Sequence, residues 1–241
     1  KEFACKCIQL EKCPEKYRAT MMHEAEIAQS LDHPNIAKVY DVFYEQDKIY
    51  IVQQLCRGGQ LGTLFDRLNQ RGSRMYESLA RELVKQLLSA ICYMHEMGIC
   101  HRDIKLENLM LAEPESFDSL TIIDFGISTR FVSGIKMTDS VGTLYSTATE
   151  VNLGSYDEKV DMWSAGVFTY MIITGRPVFL TKERDEEKLL KERALHTEIS
   201  FRGREWDDIS LAAKSFVSGL LTRNTRKRMS TKKALRHKWM K

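Results

Sequence analysis

Apolar positions along the chain are mainly strand-like before Gln54 and helical after it. Before Gln54 they alternate: Phe3 to Ile8 reads as a strand, apolar with one intruding lysine. Ile36 to Phe43 and Lys48 to Val52 alternate enough to be paired strands, joined by the polar turn Glu45-Gln46-Asp47. Between them Glu15 to Leu31 predicts a helix, closed by Asp32-His33-Pro34-Asn35, where the proline prevents continuation. Later the period is helical. Leu79, Leu83, Leu87 and Ile91 recur every four residues within Ser78 to Met97, Val84, Leu88 and Met94 widen the stripe, and Gly98 supplies a C-terminal stop. Lys159 to Thr174 is apolar nearly all round, through Val160, Trp163, Val167, Tyr170 and Met171, so it belongs in a core. Two further helices are expected near Leu211 to Leu221 and Thr231 to Trp239, and Glu183 to Glu192 reads as a charged, solvent-facing helix. The Gly-containing connector Gln54 to Gln60 divides a strand-rich part, residues 1–56, from a helical part, residues 57–241. No internal repeat is found.

Composition narrows the class of protein. With 241 residues, 43% hydrophobic and 29% charged, the chain suits one large or two small globular domains with a substantial core. A net charge of +3 without a basic helical stripe argues against nucleic acid. The longest apolar run, Ala165 to Ile173, is too short to span a bilayer, and no signal peptide is expected. The six cysteines (Cys5, Cys7, Cys13, Cys56, Cys92, Cys100) form no C-x-x-C pair, and the six histidines lack metal-ligand spacing. Cys5 is expected to flank a buried strand, and Cys92 and Cys100 lie in apolar sequence. Reduced thiols and a cytoplasmic location, or a nuclear one, are therefore expected. The start at Lys1-Glu2-Phe3, without an initiator Met and inside a strand, suggests a fragment.

The chemistry concentrates in Cys100-His101-Arg102-Asp103-Ile104-Lys105-Leu106-Glu107-Asn108, followed one loop later by Ile123-Asp124-Phe125-Gly126. These read as H-R-D-x-K-x-x-N and D-F-G, in an order and separation that rarely coincide by chance. Phosphoryl transfer demands positioning and charge neutralisation more than covalent chemistry. Asp103 suits a carboxylate that orients an attacking hydroxyl and accepts its proton. Lys105, two residues on, can reach phosphoryl oxygens as their charge develops. Asn108 offers a neutral oxygen to a hard magnesium ion and Asp124 an anionic one, while Gly126 is expected to permit a sharp turn.

With these residues in view, the whole chain resembles a eukaryotic protein kinase domain of the calcium/calmodulin-dependent group, most like the calcium-dependent protein kinases. That resemblance implies a bilobal α+β fold: a small antiparallel β lobe, incomplete here, over residues 1–56 and a mainly α-helical lobe over 57–241. It implies ATP and Mg2+, and serine/threonine acceptors in protein substrates, the D-x-K-x-x-N form at Lys105 being the serine/threonine mark. Phe3-Ala4-Cys5-Lys6 matches V-A-I-K, making Lys6 the lysine for the α- and β-phosphates. In His23-Glu24-Ala25-Glu26-Ile27 the partner of Lys6 is implied to be Glu24, with Glu26 pointing elsewhere. Gln53 falls at the gatekeeper position; Gln54 and Cys56 would offer backbone groups to adenine, with Ala4 above and Met110 below the ring. Gln60 and Glu107 complete the implied nucleotide site. Thr143 would contact Asp103 and Lys105, Asp161 would brace the catalytic loop, and Glu150 and Arg228 would form a buried ion pair.

Four departures from the family pattern stand out. The G-x-G-x-x-G loop that should precede Lys6 does not occur in these residues. Ala148-Thr149-Glu150 replaces A-P-E, Ala28 replaces a larger apolar residue, and Gln60 stands where many relatives carry glutamate. Glu107 leaves room for a preference for basic residues near the phosphoacceptor. Arg102 before Asp103 implies an activation segment ordered by a phosphate, with Thr138 and Ser140 as acceptors, or by Asp139 in its place. The family also carries calcium-sensing EF-hands outside the kinase domain, and no D-x-D-x-D-G pattern lies within residues 1–241. A catalytically impaired pseudokinase acting by protein binding is the alternative; it is disfavoured because Lys6, Asp103 and Asp124 are all present. A small-molecule kinase is disfavoured by the Thr143 region, the Glu150–Arg228 pair and the large helical part.

Overall fold

A computed structural model describes residues 2–10, 15–45, 47–114, 116–179 and 187–241, of which 15–21 and 187–191 are described as backbone. Cys13, Gln46 and residues 183–186 of the expected charged helix lie outside the described residues. Strand β1 (Phe3–Gln9) is followed by α1 (Glu15–Ser30), β2 (Val39–Glu45) and β3 (Lys48–Gln54). The strands form an antiparallel sheet in the order β1-β3-β2. Alternation along β1 turns Ala4, Lys6 and Ile8 inward and leaves Phe3, Cys5 and Cys7 exposed. Cys5 therefore does not flank a buried strand, because β1 is covered on one face only. On the covered side Ala25, Ile27, Ala28 and Leu31 from α1 and the loop after it join Ile49 and Ile51 in the core.

The connector after β3 is more ordered than its composition suggests. It contains β4 (Gly59–Gln60) and runs directly into α2 (Leu61–Gln70), a helix not anticipated as a separate element. Its signal was present in the 3–4 spacing of Leu61, Leu64, Phe65 and Leu68. Helix α3 (Glu77–Glu96) buries the predicted stripe from Leu83 on, Leu79 being half-buried, and Gly98, at φ 69°, closes it in the left-handed conformation that glycine adopts without strain. Next come β5 (Ile99–Cys100), β6 (Leu109–Leu111), β7 (Leu120–Ile122) and β8 (Thr129–Arg130), with β4-β6-β7 and β5-β8 as two small sheets.

Helix α4 (Val160–Thr174) is buried along its whole length. Its hydroxyls are tolerated there because Ser164, Thr169 and Thr174 donate to carbonyls one turn earlier, at 3.2, 2.6 and 2.7 Å. Helices α5 (Glu187–His196), α6 (Leu211–Leu220) and α7 (Thr231–Leu235) complete the described helices. The helix expected over Thr231 to Trp239 is broken: α7 stops at Leu235, and the His237 ring accepts the Trp239 N–H at 3.2 Å to start a separate turn. The N-terminal sheet is tied to the helical part by Asn35 and Ala37. Ile122 N–H donates to the Asn35 carbonyl at 2.8 Å, and Ala37 N–H to the Ile122 carbonyl at 2.9 Å. This seam sets Lys6 above the loops that follow β5 and β7.

Candidate active site

The loop from His101 to Asn108 is held from beneath by Asp161 at the start of α4. Its carboxylate accepts the backbone N–H groups of His101 and Arg102 at 2.9 and 2.8 Å and pairs with His95 Nε2 at 2.9 Å. Burial alone would raise the Asp161 carboxyl, but these donors outweigh it and hold the group below the usual carboxylate range. Arg102 is thereby kept at φ 68°, a conformation costly for a side-chain-bearing residue. The arrangement also gathers His95, Cys100 and Asp161 within 4.8 Å of one another, a grouping invisible in their spacing along the chain. Burial, then Asp161, push the Cys100 thiol up, so it stays protonated beside the carboxylate.

Above this support the polar groups converge. Asp103 accepts the Thr143 hydroxyl on Oδ1 at 2.6 Å, and its Oδ2 meets Lys105 Nζ at 2.8 Å and Asn108 Nδ2 at 3.0 Å. Lys105 also donates to Thr143 Oγ1 at 2.7 Å. Thr143 can approach because Gly142 lies at φ 113°, where a Cβ would sit 2.7 Å from the Thr147 hydroxyl and 3.0 Å from the Arg102 carbonyl. Asn108 donates to the Asp103 backbone carbonyl as well, at 2.9 Å, so both of its amide bonds turn toward Asp103.

The second group forms where β1, α1 and the loop after β7 meet. Lys6 Nζ donates to Glu24 and, at 2.7 Å, to Asp124 Oδ1. Glu26 instead points outward, with His23 at 3.6 Å. Two carboxylates outweigh burial and hold the Lys6 ammonium protonated, whereas Glu24, deeply buried with one cation and Asp124 close by, is pushed up. Asp124 is held low, Lys6 overcoming the effect of burial. The sharp turn expected at Gly126 is made by Asp124, at φ 67°. Glycine at 126 gives room instead: a Cβ there would lie 3.3 and 3.4 Å from the carboxylates of Asp124 and Glu24, a tight fit against two side-chain ends.

The connector residues are placed more loosely. Ala4 pairs with Gln53 across β1 and β3, and Met110 pairs with Gln60 across β4 and β6. The Gln54 N–H is donated to the Lys38 carbonyl at 2.8 Å, which removes it from the groups expected to serve adenine. Cys56 is buried and its thiol pushed up by that burial, so it is not a reactive thiolate. Gln60 Nε2 donates to the Glu107 carbonyl at 3.3 Å. Two site neighbours were not singled out by sequence reasoning: Tyr145, bonded to the Glu107 carboxylate, and Tyr156, whose hydroxyl receives Arg102 at 3.0 Å. Tyr145, two residues past Thr143, could have been found by position; Tyr156 left no such signal.

A family model described as "Protein kinase domain" matches residues 1–240. The chain belongs to the protein kinase domain family. Its two β-rich and helical parts are those of the bilobal α+β kinase fold. It is 37% identical over 219 residues to calcium-dependent protein kinase 3 of Plasmodium berghei, covering 90% of this chain and 38% of that protein. It is 37% identical over 242 residues to calcium-dependent protein kinase 4 of Plasmodium falciparum, covering 100% of this chain and 44% of that protein. It is 35% identical over 240 residues to myosin light chain kinase A of Dictyostelium discoideum, covering 99% of this chain and 79% of that protein. The chain thus spans less than half the length of the calcium-dependent kinases it matches. A kinase domain implies ATP together with a divalent cation. Among the described residues no helix is long and apolar enough to cross a membrane.

Proposed function

We propose that this kinase domain transfers the γ-phosphoryl group of ATP to serine or threonine hydroxyls of protein substrates. The observation that carries this reading is the convergence of Asp103, Lys105, Asn108 and Thr143 next to the Lys6–Glu24–Asp124 group. The two are linked where Ile123 N–H donates to the Asn108 carbonyl at 2.9 Å. Asp103 orients the acceptor hydroxyl and takes its proton. Lys105, held by Asp103 and Thr143, faces the charge that grows on the transferring group. Lys6, positioned by Glu24, binds the α- and β-phosphates. Ala4, Cys56 and Met110 surround adenine, Gln54 offering no N–H to it because that group bonds the Lys38 carbonyl, and Gln60 with the Glu107 backbone lies toward the ribose.

The residues present fit magnesium. Asn108 spends its amide nitrogen on Asp103, so its side-chain oxygen is the atom it would offer a cation, and Asp124 is a strong anion; both are oxygen donors suited to a hard cation. The ion, held by Asn108 and Asp124, neutralises phosphate charge when bound. Arg102 donates to Asp139 at 2.8 Å, and this carboxylate stands in for an activation-segment phosphate. The names of the relatives extend the reading to control by calcium, exerted from outside residues 1–241, which contain no EF-hand pattern. Transfer of labelled phosphate from ATP to a mixed protein substrate tests the proposal. Asp103→Asn is expected to lower turnover roughly a hundredfold or more, and equal activity in the two proteins would remove Asp103 from the role given to it.

A further inference from the structure

Glu107 is divided between two neighbours. Its backbone carbonyl faces Gln60, while its exposed carboxylate accepts the Tyr145 hydroxyl on Oε2. Tyr145 stands two residues beyond Thr143, whose hydroxyl lies 2.6 Å from Asp103. The Glu107–Tyr145 contact therefore borders the place where an acceptor hydroxyl has to enter. An exposed carboxylate there attracts a cationic side chain of the arriving peptide. The two basic side chains make different demands on it. An arginine fork forms two parallel bonds and needs both carboxylate oxygens, whereas a lysine ammonium needs one. Burial, then the neighbouring carboxylate, push the Tyr145 phenol far above its ordinary value, so it remains a donor through the neutral range.

We propose that Tyr145 is a specificity-determining residue: by donating to Oε2 of Glu107 it occupies one of the acceptor sites that an arginine fork would use and leaves Oε1 as the main contact for substrate. The domain then accepts a single basic residue near the phosphoacceptor with little preference for arginine over lysine. This rests on the protein kinase reading above. The neutral side chain of Gln60 adds no second carboxylate that could complete a fork.

The test uses peptides with one serine and a single arginine, lysine or norleucine moved through the flanking positions. At the best basic position the wild type should use arginine and lysine peptides within about twofold of each other in kcat/KM. Tyr145→Phe removes one hydroxyl and frees Oε2, and should raise the arginine-over-lysine ratio on the order of fivefold, through KM. Glu107→Gln keeps the side-chain shape and should bring both basic peptides down to the norleucine level. A ratio unmoved by Tyr145→Phe, or a strong arginine preference already in the wild type, overturns the role of Tyr145. Phosphorylation of none of the peptides by the wild type overturns the kinase reading itself, and this inference with it.

Discussion

Replacing Glu150 by glutamine keeps the size of the side chain and removes the charge facing Arg228. The pair is bidentate, with Arg228 Nη1 and Nη2 at 2.5 and 2.9 Å from the two oxygens, and the residues are 2% and 7% exposed. Arg228 also donates to the carbonyls of Lys159 and Thr222, both at 2.9 Å, and lies 5.0 Å above the Trp163 ring. Removing one partner of a buried pair costs about 3–5 kcal/mol, because the other charge is left uncompensated. Glutamine retains an acceptor and the two carbonyls retain theirs, so Glu150→Gln should fall near the low end, about 3 kcal/mol. Arg228→Ala should cost more, since it also strips both carbonyls of their donor at about 1–3 kcal/mol each. At about 2–4 °C per kcal/mol for a chain of this size, Glu150→Gln should lower Tm by roughly 6–12 °C. Urea unfolding followed by tryptophan fluorescence measures both variants. A Glu150→Gln midpoint indistinguishable from wild type, or an Arg228→Ala variant milder than Glu150→Gln, would refute the reasoning.

Other expectations concern the activation segment and pH. Asp139 is 65% exposed at its side chain against 8% for Arg102, and such a pair is worth about 1 kcal/mol or less. Asp139→Asn should therefore cut kcat no more than about fivefold and Asp139→Glu should recover it; unchanged kcat in Asp139→Asn would show that Tyr156 and the Ile127 carbonyl hold Arg102 without Asp139. His33 Nδ1 accepts the Asn35 N–H at 3.1 Å while Nε2 pairs with Ser89 at 3.0 Å, and burial keeps the imidazole below its ordinary 6.5. The unfolded chain takes up this proton first as pH falls. The contribution of His33 is thus complete above about 6.5 and is lost between 6.5 and its lower folded value. The urea midpoint of the wild type should drop more than that of His33→Asn between about pH 7 and about pH 5.5, and parallel drops would sink the assignment.

Local chemistry was legible where the working residues share one short segment. Asp103, Lys105 and Asn108 lie on a single loop, so their spacing states their relation, and the four-residue stripe of Leu79 to Ile91 states which face of α3 is buried. The breaks were less legible. Nothing in the periodicity of Thr231 to Trp239 shows that the His237 ring would capture the Trp239 N–H, because that is one hydrogen bond set against a helical preference. Likewise β1 has an apolar composition that does not reveal whether one face or two is covered, and Cys5 and Cys7 proved to be exposed.

The sequence by itself determined the first three strands, helices α1, α3 and α4, the catalytic loop and, through resemblance, the family and the pairing of Lys6 with Glu24. Tertiary structure alone decided how that chemistry is held. Lys6 meets Asp124 across a separation of 118 residues, and His95 meets Asp161 across 66. It also decided that Asp124, not Gly126, makes the strained turn, that the Gln54 N–H is consumed by Lys38, and that the Tyr145 hydroxyl bonds the Glu107 carboxylate. The reason is physical. Periodicity records which side of an element is apolar, whereas a polar contact between distant segments depends on how the sheet settles on the helices, and no local pattern carries that distance.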